Sequence, residues 1–123
     1  MTANTLKEDI HELLKQADRG IGLREFIDGI CQLFSQHESE LAGITYSYRL
    51  CASDTGYVKA FSLDDGHFFE MSEMGEADVI VTGTEQALLS VLKRDVSPMS
   101  ALLRGKIKIN GSKAALIRFA DFL

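Results

Sequence analysis

No stretch of this 123-residue chain is long and apolar enough to cross a bilayer. Its longest charge-free stretches, such as Gly29 to His37 and Val96 to Leu103, are less than half of the roughly 20 residues a spanning helix requires. The start, Met1-Thr2-Ala3-Asn4-Thr5, leads into the acidic pair Glu8-Asp9, without the basic and then apolar regions of a secretory signal. The two cysteines, Cys31 in an expected helix and Cys51 at an expected strand end, could pair. Without a signal sequence, two reduced and partly buried thiols in a cytoplasmic protein are the expectation. The chain also lacks an internal repeat and a low-complexity linker. Its length suits one domain with one core, and 46% apolar against 25% charged residues is ordinary globular composition.

Local catalytic and metal signatures are missing too. His11, His37 and His67 lie far apart, and His37-Glu38-Ser39-Glu40 lacks the second histidine of HExxH, so it reads as a polar helix end. Gly20-Ile21-Gly22 opens like a dinucleotide fingerprint, but Glu25 holds the third glycine position and no strand precedes it. Gly105-Lys106 is not a P-loop, because Ser100 and Ile107 stand where glycine and a hydroxyl residue are required. No Gly-x-Ser-x-Gly elbow is present. Asp64, Asp65 and Glu70 could gather carboxylates, yet Asp-Asp-Gly is first a turn composition. The expectation is a protein that is not an enzyme and uses no cofactor or metal.

Charge is present but unevenly placed. Residues 1–92 carry 6 basic against 16 acidic side chains, whereas residues 93–123 carry 7 against 2. The basic third comprises Lys93, Arg94, Arg104, Lys106, Lys108, Lys113 and Arg118. It is either a patch for anionic lipid headgroups or nucleic acid, or a set of solvated faces that happen to cluster. No aromatics interleave with it to stack on bases, which argues against nucleic acid.

Periodicity gives the elements. Thr5 and Glu8 have capping-box spacing, and Leu6, Ile10, Leu13, Leu14 and Ala17 then recur at helical intervals. After Asp18 to Gly22, a second helix from Leu23 to His37 carries Phe26, Ile27, Ile30 and Phe34 on one face. The period then drops to two. Ile44, Tyr46, Tyr48 and Leu50 alternate with polar residues as one strand, Tyr57 to Leu63 forms a second, and His67 to Ser72 a third. Asp64-Asp65-Gly66 is a hairpin signal between the last two. Met74-Gly75-Glu76 leads to a fourth strand, Ala77 to Thr82. Thr84 caps a helix running to about Arg94, and Ser97-Pro98 starts a short one ending near Gly105. Lys106 to Ile109 is a fifth strand, Asn110-Gly111 a turn, and Ser112 opens a last helix to Phe122. The fold expected is a two-layer α+β sandwich, a five-stranded mixed but mostly antiparallel sheet with helices on one face. Residues 1–22 form an N-terminal helical extension and 23–123 the main domain. Phe61, Leu63, Phe68 and Phe69 put apolar side chains on both faces of strands two and three. Any solvent-side surplus calls for cover by the first helix or by a second copy, a homodimer.

Ala77-Asp78-Val79-Ile80-Val81-Thr82, a Leu-rich helix, Ser97-Pro98, and then Gly105-Lys106-Ile107-Lys108-Ile109-Asn110-Gly111 together resemble the sterol carrier protein type 2 family. The match in order covers residues 23 to 123 and is most specific from 77 to 111. The chain departs from the family in having no tryptophan in the second strand, where Tyr57 or Phe61 stands.

The resemblance implies an apolar tunnel between sheet and helices, and non-enzymatic binding or transfer of an apolar lipid: a fatty acid, an acyl-CoA, a sterol or similar. An accessory module presenting a lipid or quinone precursor to an enzyme is the alternative. Candidate lipid contacts are Phe26, Ile30, Phe34, Tyr46, Tyr48, Leu88, Leu92, Met99, Leu102, Leu103, Ile117 and Phe119, each of which plain core packing would explain as well. Met71, Met74 and Met99 would lend such a site plasticity. Lys106, Lys108 and Lys113 are the candidates for transient contact with an anionic membrane surface. An empty tunnel of about 400 Å³ would cost on the order of 10 kcal/mol, so it should shrink or hold a lipid.

Overall fold

The structure, a computed structural model, describes residues 5–72 and 76–120. Helices α1 (Leu6–Asp18) and α2 (Leu23–Gln36) and a 3-10 turn (Glu38–Leu41) precede strands β1 (Tyr46–Ala52), β2 (Val58–Asp64), β3 (His67–Glu70) and β4 (Val79–Gly83). Helices α3 (Glu85–Leu92) and α4 (Pro98–Leu103), strand β5 (Ile107–Gly111) and helix α5 (Lys113–Ala120) follow. The strands form one sheet in the order β3-β2-β1-β4-β5. β1 to β3 are an antiparallel meander, β4 runs parallel to β1, and β5 is antiparallel to β4. The expected mixed, mostly antiparallel five-stranded sheet is therefore the observed one.

Local chemistry explains the element ends. Thr5 accepts from the Glu8 amide at 3.2 Å, Thr84 from Ala87 at 3.1 Å and Ser97 from Ser100 at 3.1 Å, three hydroxyl caps on orphan amides. The β2–β3 turn places both Asp65 and Gly66 at positive φ, 50° and 86°, the left-handed pair of a two-residue hairpin. Asp65 also accepts from the Gly43 amide at 2.7 Å, so it serves the turn, while Glu70 pairs with Lys59 at 2.7 Å. The carboxylate cluster considered from sequence is thus dispersed.

Alternation assigns the faces. Tyr48, Leu50, Phe61, Leu63, Val79 and Val81 are buried toward the helices, whereas Ser47, Arg49, Cys51, Ser62, Ile80 and Thr82 face the other way. Phe68 also packs into the core, leaving Phe69 as the outward ring, 48% exposed. Helix α1 gives this outer face no cover. It packs on α2, where the missing side chain of Gly29 admits Leu13, and it buries Leu6, Ile10 and Ala17 in the common core.

One sequence expectation is corrected at the end of β5. Asn110-Gly111 is not a free turn, because Asn110 pairs with Ile80 and Gly111 with Val79, and the strand runs through both. The local composition signals a turn, but pairing with β4 decides. The other strand and helix limits coincide with expectation or differ from it by one or two residues. Met74 and Gly75, in the lead into the fourth strand, and the expected end of the last helix at Phe122 lie outside the described residues.

A polar clasp fixes α1. His37, 13% exposed, holds Asp9 of α1 at 2.6 Å through Nε2 and Glu40 at 2.6 Å through Nδ1. Glu40 also accepts from the Leu6 amide at 2.9 Å, capping α1 across 34 residues. Burial pushes the His37 pKa down, but hydrogen bonds to the two carboxylates outweigh it and leave it raised above 6.5. A raised folded-state pKa gives stability that is fully present below about pH 6.5 and lost as pH rises through the folded value. His37→Gln is therefore expected to destabilise by about 1–2 kcal/mol at pH 5.5. Chemical denaturation from pH 5.5 to 9 should show that deficit shrinking. A deficit independent of pH would rule out a charged clasp.

Candidate functional site

Between sheet and helices lies an apolar cavity of about 200 Å³. Tyr48, Leu50, Val79 and Val81 form its floor, because alternate residues of the parallel pair β1 and β4 point to the helix layer. Leu88, Val91 and Leu92 of α3 close one side, and Leu116 and Phe119 of α5 another. The corner after α3 supplies the rim. Arg94 turns the chain with φ of 66°, and Val96, Ser97 and Pro98 follow around the opening. Arg49 borders the floor, but its neighbours Tyr48 and Leu50 face the cavity, so alternation sends its side chain to the outer face.

Aromatic packing stiffens the inner wall. The Tyr48 ring stacks on Phe61 at 5.3 Å and lies 5.3 Å from Phe119, with Phe34 behind, 6.1 Å from Phe61 and 6.0 Å from Phe119. Tyr48 donates its hydroxyl to the Ala115 carbonyl at 2.8 Å, and burial pushes that phenol above its ordinary pKa. Tyr48 therefore offers a guest its ring, while its proton is already placed. Cys31 is free, buried in α2, and burial raises its pKa to about 12, the mark of an inert thiol. Cys51 is also free and sits on the outer face. Among the described residues no cluster of His, Cys, Asp and Glu could hold a metal ion. What the arrangement can do is take up hydrocarbon.

The residues singled out from sequence separate into three groups. Tyr48, Leu88, Leu92 and Phe119 come together around the cavity. Phe26, Ile30 and Phe34 are 1% exposed or less in the core behind it, and Tyr46 and Leu102 are half-buried against that core. Met99, Leu103 and Ile117 are 54%, 83% and 63% exposed and stand on the surface. Met71 is half-buried and Met74 lies outside the described residues. Lys106, Lys108 and Lys113 are all exposed. Lys108 pairs with Thr82 and so belongs to the outer sheet face, whereas Lys106 borders a groove between α3 and α4.

Sequence reading did not single out Val79, Val81, Val91, Val96 and Leu116 as wall residues. Val79-Ile80-Val81 is apolar on both faces of its strand, a pattern that does not say which side meets the helices. Val96 sits in a corner with no periodicity to betray it.

A mixed five-stranded sheet with the described helices on one face and a mostly apolar cavity between the layers defines the class: a small two-layer α+β domain. The model of the SCP-2 sterol transfer family matches residues 28–123, and the chain belongs to that family. No curated protein matches the sequence. Among solved structures, the stereoselective inverting sec-alkylsulfatase Pisa1 from Pseudomonas sp. superimposes with a TM-score of 0.66 at 21% identity over 78% of this chain. That match spans 16% of the sulfatase. Palmitated SCP2L2 from Aedes aegypti gives a TM-score of 0.59 at 16% identity, covering 82% of this chain and 93% of its own. The UbiJ-SCP2 ubiquinone synthesis protein gives 0.52 at 19%, covering 72% and 75%. These likenesses show a shared fold. No helix among the described residues is long and apolar enough to cross a membrane.

Proposed function

We propose that this chain binds a single apolar lipid chain in the cavity between β1, β4, α3 and α5, without catalysing a reaction on it. The observation that carries this reading is the cavity itself, floored by Val79 and Val81 and walled by Leu88, Leu92 and Phe119. Left dry, a void of about 200 Å³ would cost on the order of 5 kcal/mol at about 24 cal/mol per Å³. That is half the figure expected from sequence, but still large against the 5–15 kcal/mol stability typical of a domain. A guest recovers it, at roughly 0.8 kcal/mol for each methylene enclosed. Palmitate in the similar SCP2L2 supports hydrocarbon as the guest.

The size of the cavity favours presentation over full enclosure. Pockets that swallow a drug-sized ligand run to about 300–1,000 Å³, so a long chain would leave part of itself outside, within reach of a second protein. The likeness to a ubiquinone synthesis protein fits such an accessory role, in which a lipid or quinone precursor is handed to an enzyme. Purified protein extracted with organic solvent is expected to release a lipid detectable by mass spectrometry, and lipid-stripped protein to bind a fluorescent fatty acid. A clean extract together with no binding of the probe rejects the reading.

A further inference from the structure

Beside the apolar cavity runs a second, more polar groove of about 290 Å³, lined by Thr84, Gln86, Ala87, Ser90, Val91, Val96, Ala101 and Lys106. The two spaces share Val91 and Val96, which therefore form a sill between a hydrocarbon compartment and a hydrogen-bonding one. No carboxylate lines the groove. The nearby Glu85 is engaged by Arg24 at 3.5 Å, and Asp95 by Lys93 at 3.5 Å.

Backbone geometry directs Lys106 to this groove. Helix α4 ends with Gly105 at φ of 72°, with the Gly105 amide donating to Leu102 at 3.1 Å and the Lys106 amide to Ala101 at 2.9 Å. In this helix-ending motif the residue after the glycine is brought beside the residue that accepts its amide, and contact between their side chains is frequent. Here that partner is Ala101, itself part of the groove and 2% exposed. Lys106 therefore lines the groove next to Ala101 and is itself exposed to water. Lys93 is held by Asp18 at 3.1 Å, but Lys106 forms no ion pair among the described residues. The Thr84 hydroxyl accepts from the Ala87 amide, which leaves its proton free to donate.

We propose that the groove is a headgroup subsite and that the preferred ligand is a single-chain amphiphile with an anionic head. Its tail occupies the cavity, the chain crosses the sill at Val91 and Val96, and the head meets Lys106 and the hydroxyls of Thr84 and Ser90. The inference deepens the lipid-binding reading and rests on it. It makes Lys106 a residue that selects the ligand, where the sequence pointed to a membrane contact.

Calorimetric titration of lipid-stripped protein with decyl phosphate, decanol and inorganic phosphate, each below its aggregation concentration, separates the contributions. Decyl phosphate should bind about tenfold more tightly than decanol, and phosphate alone should not compete with it at equal concentration. Lys106→Gln should reduce that preference about fivefold, with the loss falling on decyl phosphate. Lys108→Gln, two residues away on the outer sheet face, should change neither. Equal affinity for phosphate and alcohol, competition by inorganic phosphate alone, or an equal effect of the two lysine variants overturns the subsite while sparing the cavity. Failure of both decyl compounds to bind overturns the cavity reading itself.

Discussion

Gly111→Ala should lower stability by about 3 kcal/mol, a fall in Tm of roughly 10 °C for a domain of this size. Gly111 adopts φ of 101°, a conformation that L side chains rarely reach, and a Cβ there would run into the Asp78 carbonyl and lie 3.2 Å from Val79 Cα. That carbonyl cannot step aside, because it accepts the Ser112 amide at 2.7 Å. The Asp78 side chain accepts from the Ser47 amide at 2.8 Å, and its own amide donates to the Ser47 hydroxyl at 2.8 Å. One residue therefore joins β1, the start of β4 and the junction of β5 with α5. Thermal denaturation of Gly111→Ala beside Gly56→Ala measures the effect. Gly56 also has positive φ, 77°, but nothing lies within 4 Å of a Cβ built on it. It should lose only the conformational share of about 1 kcal/mol. Equal losses in the two variants would show that the contact with Asp78 contributes nothing.

That junction explains why the fold was legible in the sequence. Ala77-Asp78 and Asn110-Gly111 open and close the stretch that carries the family resemblance, and the structure brings them into contact as the frame of β4 and β5. Those residues report how the sheet is tied together. What the sheet holds depends on others. The alternation of Tyr46, Tyr48 and Leu50 identifies the inner face of β1, and Leu88 and Leu92 are among the candidate lipid contacts that the sequence offers. Whether a buried side chain borders space or only touches its neighbours depends on how far two layers stand apart, and no local pattern records that distance. Phe26 and Phe34 look like Phe119 in sequence, yet only Phe119 borders the cavity. Met99, Leu103 and Ile117 belong to short helices of six and eight residues, on which a few apolar positions cannot show which side faces inward. Lys106 was visible as one member of a basic third. Only the α4 ending, with Ala101 on the groove side, separates it from Lys108.

Val81→Phe is the substitution expected to hurt lipid binding most. Val81 is 4% exposed on β4, facing the cavity. Its replacement adds four carbons where a guest would lie. Displacing about three chain methylenes at roughly 0.8 kcal/mol each removes about 2.4 kcal/mol, or roughly 50-fold in affinity. In a solid core the same added volume would cost about 1–3 kcal/mol of stability. Here the ring enters existing space and restores contacts that the void forfeits, so the ligand-free protein should be no less stable than the parent and could gain. The neighbouring Ile80→Phe supplies the comparison, since Ile80 points to the outer face and should leave affinity unchanged. Fluorescent fatty acid titration and denaturant melts on both variants give the two quantities needed. Affinity lost with stability kept at position 81, and neither changed at position 80, is the signature of a cavity that accepts lipid from the helix side of the sheet. Parent-like binding by Val81→Phe would place the guest elsewhere. Loss of stability alone would mean that the two layers are already packed solid against each other.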